Sequence, residues 1–300
     1  MSAKNYPLVS IAIITYNQRE FLRECLESCL SQDYPNIEIV VADDASTDGT
    51  RALLGEYKRR YPDEFVLCLS EANQGITKNT NLTYFACKGK YIAFMGGDDL
   101  MLPGKIALQV EVMEKKPEVV ISYHNLDVFD SDSGEVTKKL NEKDSYSGYL
   151  NGYIRRGCVN GASATMIRSQ CAPTGGFSEV LPVASDWFFW CEVLAGSKGK
   201  IEYIENTLGK YRRHQKNVTT GGSSFAAQGS LDTLVSCILI ASKYPPFTRS
   251  ANYRLGALLR GMRRDGNYTH RLLSSLSVSF QLRTLILLII NGITLGRVKL

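Results

Sequence analysis

The chain has 300 residues, 44% of them hydrophobic, and a net charge of +5 from 35 basic and 30 acidic side chains. This length fits one large domain, or one domain with a small addition, and the apolar content excludes a disordered chain. The charge excess falls short of the dense basic face of a nucleic-acid binder, so no nucleic-acid partner is expected; an anionic small ligand or an anionic membrane surface fits it.

Up to residue 123 strand and helix signals alternate. Val9–Thr15 is an apolar, β-branched run, and Arg19–Gln32 places Phe21, Leu22, Cys25, Leu26, Cys29 and Leu30 on one helical stripe. Strands are predicted at Ile37–Ala42, Phe65–Leu69, Tyr91–Met95 and Val119–Tyr123, with helices at Asp48–Arg60 and Thr77–Cys87 and a further helix opened by Pro103. Such alternation means βαβ units and a mostly parallel sheet, and strands apolar throughout are buried on both faces. The pattern loosens after residue 124: a strand at Ser163–Ile167, an aromatic-rich helix at Asp186–Leu194, a strand at Ile201–Ile204, a Gly/Ser/Thr linker at Thr220–Ser224, then helix to the C-terminus. The expected organisation is a domain over 1–220 in two halves, 1–123 and 124–220, and a helical extension over 221–300.

Ligands of open parallel sheets sit beyond the carboxyl ends of the strands. Those ends carry Thr15-Tyr16-Asn17, Asp43-Asp44 and Gly96-Gly97-Asp98-Asp99. Adjacent acids at a strand end are costly unless a cation offsets them; a hard divalent ion, Mg²⁺ or Mn²⁺, bridging carboxylate and phosphates suits Asp98-Asp99. The bland alternative is a solvated acidic turn. Asp43 and Asp44 suit a base N–H or ribose hydroxyls, while Ser46 or Asp48 suits a helix cap.

The strings VSIAIITYNQREFL, VVADDASTDGT, NQGITKNTN and YIAFMGGDDLMLP, in that order, cover residues 8 to 103 densely. Together they resemble family 2 of the inverting glycosyltransferases, which have the GT-A fold, and among them bacterial surface-polysaccharide and O-antigen enzymes. The resemblance implies a nucleotide-sugar donor, usually a UDP- or dTDP-sugar, and a Mn²⁺ or Mg²⁺ ion. Carried over by position, Thr15, Tyr16 and Asn17 lie near base and ribose, Asp44 (with Asp43) contacts the base, Asp98 lies near the ribose, and Asp99 holds the metal. Where many members have an Ala-Arg pair, this chain has Asn79-Thr80, so Lys78, the nearest cation, takes part of the donor-binding role. The acceptor-side carboxylate of the family matches Asp186 in LPVASDWFFWCEV, with Glu179 and Glu192 as competitors and Trp187 and Trp190 divided between sugar stacking and core. YRRHQKNVTT resembles the closing segment of non-processive members: His214 near the diphosphate or metal, Arg212 or Arg213 against phosphate charge. The Gln-x-x-Arg-Trp string of processive synthases is absent from the sequence.

Leu276–Leu295 places Leu282, Leu285, Ile286, Ile289, Ile290 and Ile293 on one stripe, flanked by Arg260, Arg263, Arg264, Arg271, Arg297 and Lys299. This reads as a helix lying on the inner membrane surface, suiting a lipid-linked acceptor; a homodimer or core helix is the alternative. Eight scattered cysteines without a CxxC pair and a polar N-terminus lead to the expectation of a cytoplasmic protein peripheral to the membrane. Two other functions compete. A non-catalytic sugar-nucleotide-binding protein is opposed by the retained acids; a nucleotidyltransferase is opposed by the loop after the first strand, Thr-Tyr-Asn-Gln-Arg, which lacks the glycines needed to wrap a triphosphate.

Overall fold

The computed structural model describes residues 6–142, 144–215, 217, 224–261 and 268–293. Within it the alternation read from the sequence holds: β1 (Val9–Thr15), α1 (Arg19–Leu30), β2 (Ile37–Asp43), α2 (Thr50–Arg60), β3 (Phe65–Leu69), α3 (Ile76–Ala86), β4 (Tyr91–Gly96), β5 (Leu100–Met101), α4 (Lys105–Lys115) and β6 (Val119–Asp130). There follow β7 (Val136–Leu140), α5 (Leu150–Arg156), β8 (Met166–Arg168), α6 (Asp186–Ser197), β9 (Lys200–Arg213), α7 (Ser224–Lys243), α8 (Thr248–Gly261), α9 (Tyr268–Val278) and α10 (Leu282–Ile293). The strands form one mostly parallel sheet in the order β3-β2-β1-β4-β8-β6-β9-β5, with β7 paired to β6. This is the α/β, GT-A-like architecture with helices on both faces and a helical C-terminal region.

Strand periodicity divides the interior. Val9, Ile11, Ile13, Ile39, Val41, Tyr91, Ala93 and Met95 project to the side of α1, α2 and α4, where they meet Leu22, Leu26, Leu53 and Ile106. The alternate residues Ala12, Ile92 and Phe94 face the other way, into a core with Phe177, Phe189 and Trp190. Burial on both faces is why these strands are apolar at most positions, the buried Ser10 and Glu38 being hydrogen-bonded to each other. Cys237, Ile240 and Ala251, from α7 and α8, join this second core. The Asp232 carboxylate accepts from the Val183 and Ala184 amides (2.8 and 2.9 Å). α7 and α8 thus pack onto this second core, with α9 against α8 and α10 against α9. α7 is long and apolar enough to cross a membrane by composition, yet it buries Asp232, Ser236, Cys237 and Ile240 against the protein.

Several expected boundaries shift. β6 and β9 run far beyond Tyr123 and Ile204 because each pairs with the other in parallel along its length, through bulges that absorb the irregular sequence. The expected strand at Ser163–Ile167 is a 3₁₀ turn over Ala162–Ala164 followed by β8. The stripe from Leu276 to Leu295 is two helices, α9 and α10, separated at Ser279-Phe280-Gln281. The linker residues 220–223, Arg263, Arg264, Leu295, Arg297 and Lys299 lie outside the described residues, as do the side chains of Ile290 and Ile293.

Candidate active site

Parallel register brings three strand ends together: Thr15 pairs with Asp43 and Ile14 with Gly96. Two loops leaving this edge interlock. Asn17 and Ala45 both adopt left-handed backbone (φ 51° and 62°). The Asn17 amide donates to Ser46 Oγ, and the Thr47 amide donates to Asn17 Oδ1 (2.8 Å each). Asn17 is thus tied up in loop geometry, and Thr15 is buried, whereas Tyr16 stands 47% exposed at the mouth.

The acids at the end of β2 face inward. Asp44 is 3% exposed and its two oxygens accept from the Gln74 and Gly75 amides (2.7 and 2.9 Å), holding the first turn of α3. Asp43 accepts from the Ser46 amide (3.0 Å) and from Arg51 Nε (2.8 Å), leaving Oδ1 without a partner. Asp44 thus holds the backbone that enters α3 with one acceptor position of each oxygen. Lys78 is half-exposed and lies 4.0 Å from Glu179, at the outer rim.

The Gly-Gly-Asp-Asp turn separates its two acids by function. A side chain at residue 97 would meet Ile14 O and Thr15 at about 3.0 Å, so glycine permits this close crossing of β1. Asp99 turns into the protein: it is 2% exposed, takes the Ser163 hydroxyl on Oδ2, and accepts the Arg212 amide on Oδ1 (3.0 Å). Burial first, and the neighbouring Asp98 charge second, raise its carboxyl to about 8. Beneath it Lys105, wholly buried, donates to Ser163 O (2.7 Å), and burial lowers its ammonium to about 8. Asp98 points the opposite way, to the open edge, where Oδ2 meets His214 Nε2 (3.0 Å) and Asn217 Nδ2 (3.2 Å). The two acids thus have different surroundings: Asp98 meets His214 and Asn217, and Asp99 anchors the turn through Ser163 and the Arg212 amide.

Arg212 is also an anchor. Its side chain is 4% exposed; Nε donates to Asp98 O (2.8 Å) and Nη2 to Glu24 (2.6 Å). Its guanidinium lies between the Phe21 and Phe129 rings, 4.7 Å from each. With Nε and Nη2 so engaged, it braces the turn that carries Asp98. The ring of His214 packs on Phe21 (4.7 Å). The sequence reading gives Phe21 and Ser163 only as parts of a helix and a strand and does not single out Asn217 or Lys105; the signal for Asn217 is that it follows His214 by three residues.

Asp186 opens α6. Its Oδ1 accepts the Trp187 amide (2.8 Å), and burial raises its carboxyl above the ordinary value. The preceding Ser185 hydroxyl lies 2.9 Å from that of Thr77, on the same first turn of α3 that Asp44 grips. Two helix N-termini, those of α3 and α6, thereby converge on the carboxyl edge of the sheet, where their dipoles favour an anion. Trp187 and Trp190 are both buried and belong to the core, so neither offers a face to a sugar. Glu192 is paired with Lys243.

Among the described residues no three His, Cys, Asp or Glu side chains converge on one point. Asp98 and His214 make a pair instead, which matches a Mg²⁺- or Mn²⁺-type ion that takes its remaining ligands from phosphates and water. An imidazole beside a carboxylate favours Mn²⁺ over the all-oxygen preference of Mg²⁺.

The sequence model of the family described as Glycosyl transferase family 2 matches residues 10–170. The UDP-Glc:alpha-D-GlcNAc-diphosphoundecaprenol beta-1,3-glucosyltransferase WfaP of Escherichia coli is 38% identical over 119 residues, 39% of this chain and 45% of that protein. The chain spans about 60% of the length of the mycobacterial relatives that it matches at 30% identity over 70% of its own length. Among solved structures, residues 1–349 of S. aureus TarS with UDP-GlcNAc superpose with a TM-score of 0.69 at 15% identity, covering 93% of this chain and 82% of that one. The mannosyltransferase PcManGT of Pyrobaculum calidifontis with GDP-Man and Mn²⁺ gives 0.65 at 17% identity, covering 99% and 82%.

Proposed function

The chain belongs to glycosyl transferase family 2, and from that premise we propose that it moves one sugar, with inversion, from a UDP- or dTDP-sugar to a hydroxyl of a lipid-linked glycan in surface-polysaccharide synthesis. The observation that carries this reading is the outward cluster of Asp98, His214 and Asn217 at the aligned ends of β1, β2 and β4. In this reading Tyr16 would lie beside the base and ribose, Asp98 and His214 would hold a Mn²⁺ or Mg²⁺ ion, and Asp186 would face the acceptor. When bound, the ion neutralises charge on the departing diphosphate. Asp186 takes the proton of the acceptor hydroxyl as its oxygen bonds to the anomeric carbon. The bond from that carbon to the diphosphate oxygen breaks, and the nucleoside diphosphate leaves. WfaP, by its name, uses UDP-Glc and a diphosphoundecaprenol-linked acceptor, which supports this class of donor and acceptor.

A panel of nucleotide sugars with Mn²⁺ tests the reading. The matching donor at 100 times its Kd should stabilise the fold by about 2.7 kcal/mol, visible as a raised melting temperature, and support transfer with inverted anomeric configuration. A rise without transfer or donor hydrolysis would favour the non-catalytic alternative.

The protein is further proposed to lie on the cytoplasmic face of a membrane. Over the described residues α10 runs for 12 residues, ~18 Å of helix against the ~30 Å of a hydrocarbon core. Its buried side is polar: Arg260 Nη1 donates to Thr284 Oγ1 (2.8 Å) and is bonded to Gln281. Its outer side is apolar, with Phe280, Leu282, Ile286 and Ile289 all exposed. Ile286→Asp combined with Ile289→Asp should abolish binding to anionic vesicles while transfer to a soluble acceptor persists. Undiminished vesicle binding by the double variant refutes this orientation.

A further inference from the structure

Residues 181–185, which lead into Asp186 and α6, form neither helix nor strand, yet two elements pin them. On one side stands α3. Thr77, buried in its first turn, donates its hydroxyl to Leu181 O (2.6 Å). Its one proton is used there, so the Ser185 hydroxyl is the donor across the 2.9 Å to Thr77 Oγ1. On the other side stands α7. Asp232 is 1% exposed; its Oδ2 accepts the Val183 and Ala184 amides, and its Oδ1 accepts Gln228 Nε2 (2.8 Å). One turn earlier Gly229 lies against the same two residues, whose side chains a Cβ there would meet at 3.7 and 3.8 Å.

A carboxylate withdrawn from water is costly unless hydrogen bonds replace its hydration. Here three do, and two of them come from backbone amides that no helix or sheet ladder satisfies. An apolar side chain would pack α7 onto the core, as Cys237 and Ile240 do; only an acceptor fixes the backbone of residues 183 and 184. The two pins meet at the start of α6. Thr77 fixes residue 185 and Asp232 fixes residue 184, so the direction in which Asp186 leaves the backbone is set by α3 and α7, from outside its own helix. The entry to α3 is itself held by Asp44.

We propose that Asp232, opposed by Thr77, is a positioning residue that aims the Asp186 carboxylate at the acceptor hydroxyl; this rests on the glycosyltransferase reading above. Asp232 touches no reacting atom and exchanges no proton. It acts through the backbone of residues 183–185, so α7 contributes to turnover as well as to the core.

The test is a double-mutant cycle on the full chain, read by sugar transfer and by amide hydrogen exchange. Asp232→Ala releases the two amides and should lower kcat by ~10-fold or more, the scale of a small misplacement of a catalytic group, while donor KM and the dependence on Mn²⁺ hold. Asp232→Asn, whose amide oxygen can accept the same two N–H groups, should keep most of kcat. Exchange at the Val183 and Ala184 amides should quicken in Asp232→Ala and stay slow in Asp232→Asn. In the Asp186→Asn background, Asp232→Ala should lower kcat no further, because a residue that acts through Asp186 then has nothing to aim. Thr77→Val removes the opposite pin, should show the same non-additivity, and serves if Asp232→Ala misfolds. Normal kcat in Asp232→Ala, a loss that adds fully to that of Asp186→Asn, or a loss carried by donor KM would overturn the positioning role. Loss of kcat in Asp186→Asn without loss in Asp232→Ala fails this role alone. Near-normal kcat in Asp186→Asn fails the base reading first and the aiming role with it, and absence of transfer by wild type with any donor fails the glycosyltransferase reading.

Discussion

Asp186→Asn is expected to lower kcat by ~10²-fold or more, with donor affinity nearly unchanged. Asparagine keeps the size of the side chain and its bond to the Trp187 amide but cannot take a proton at neutral pH. The pH profile supplies a second readout. Burial raises the Asp186 carboxyl above its ordinary value, so the basic form is complete only above that raised value. Wild-type kcat should fall as pH drops through it, and the residual activity of Asp186→Asn should lack this acidic limb. The stability consequence has the opposite sign from a capping role. A carboxyl raised by folding costs nothing below its unfolded pKa; the cost grows as pH rises from there and is complete above the folded value. At neutral pH the asparagine variant should therefore melt no lower than wild type. If Asp186 only held the start of α6, a loss of about 0.5–2 kcal/mol on substitution by alanine, with near-normal kcat below the transition, would be the result. Near-normal kcat in Asp186→Asn would refute the base assignment and direct attention to Glu179.

Asp98→Asn should remove metal-dependent donor binding. The amide retains contact with His214 and Asn217 but loses the charge that a divalent ion requires, so donor Kd in the presence of Mn²⁺ should rise by ~10²-fold and become nearly insensitive to the metal. Asp99→Asn separates the two acids. It loses an acceptor of the buried Ser163 and Arg212 contacts, so its first effect should be a lowered melting temperature of ~1–3 kcal/mol equivalent. Any loss of turnover would follow from a displaced Asp98. Donor affinity and melting temperature of both variants, with Mn²⁺ and with EDTA, decide between them. Full metal-dependent donor binding by Asp98→Asn with its loss in Asp99→Asn would reverse the assignment.

The sequence by itself determined the sheet-and-helix alternation up to Tyr123 and the edge on which the site would lie. It could do so because apolar periods of 2 and 3.6 are local properties of the chain, and because acids that cap an apolar strand contribute nothing to its core and so mark the edge where a ligand is met. The four strings of residues 8 to 103 were likewise legible one after another. Tertiary structure alone decided which way each acid faces. Adjacent residues of a turn point to opposite sides, so Asp98 reaches the open edge and Asp99 the interior, and no composition separates them. It also decided the partners that arrive from far along the chain. His214 and Asn217 meet Asp98 across more than a hundred residues, and Arg212 is drawn between Phe21 and Phe129 by the parallel pairing of β6 with β9. Such contacts are settled by burial and by hydrogen-bond satisfaction within the completed sheet. For the same reason Asp44 became a clamp on the entry to α3.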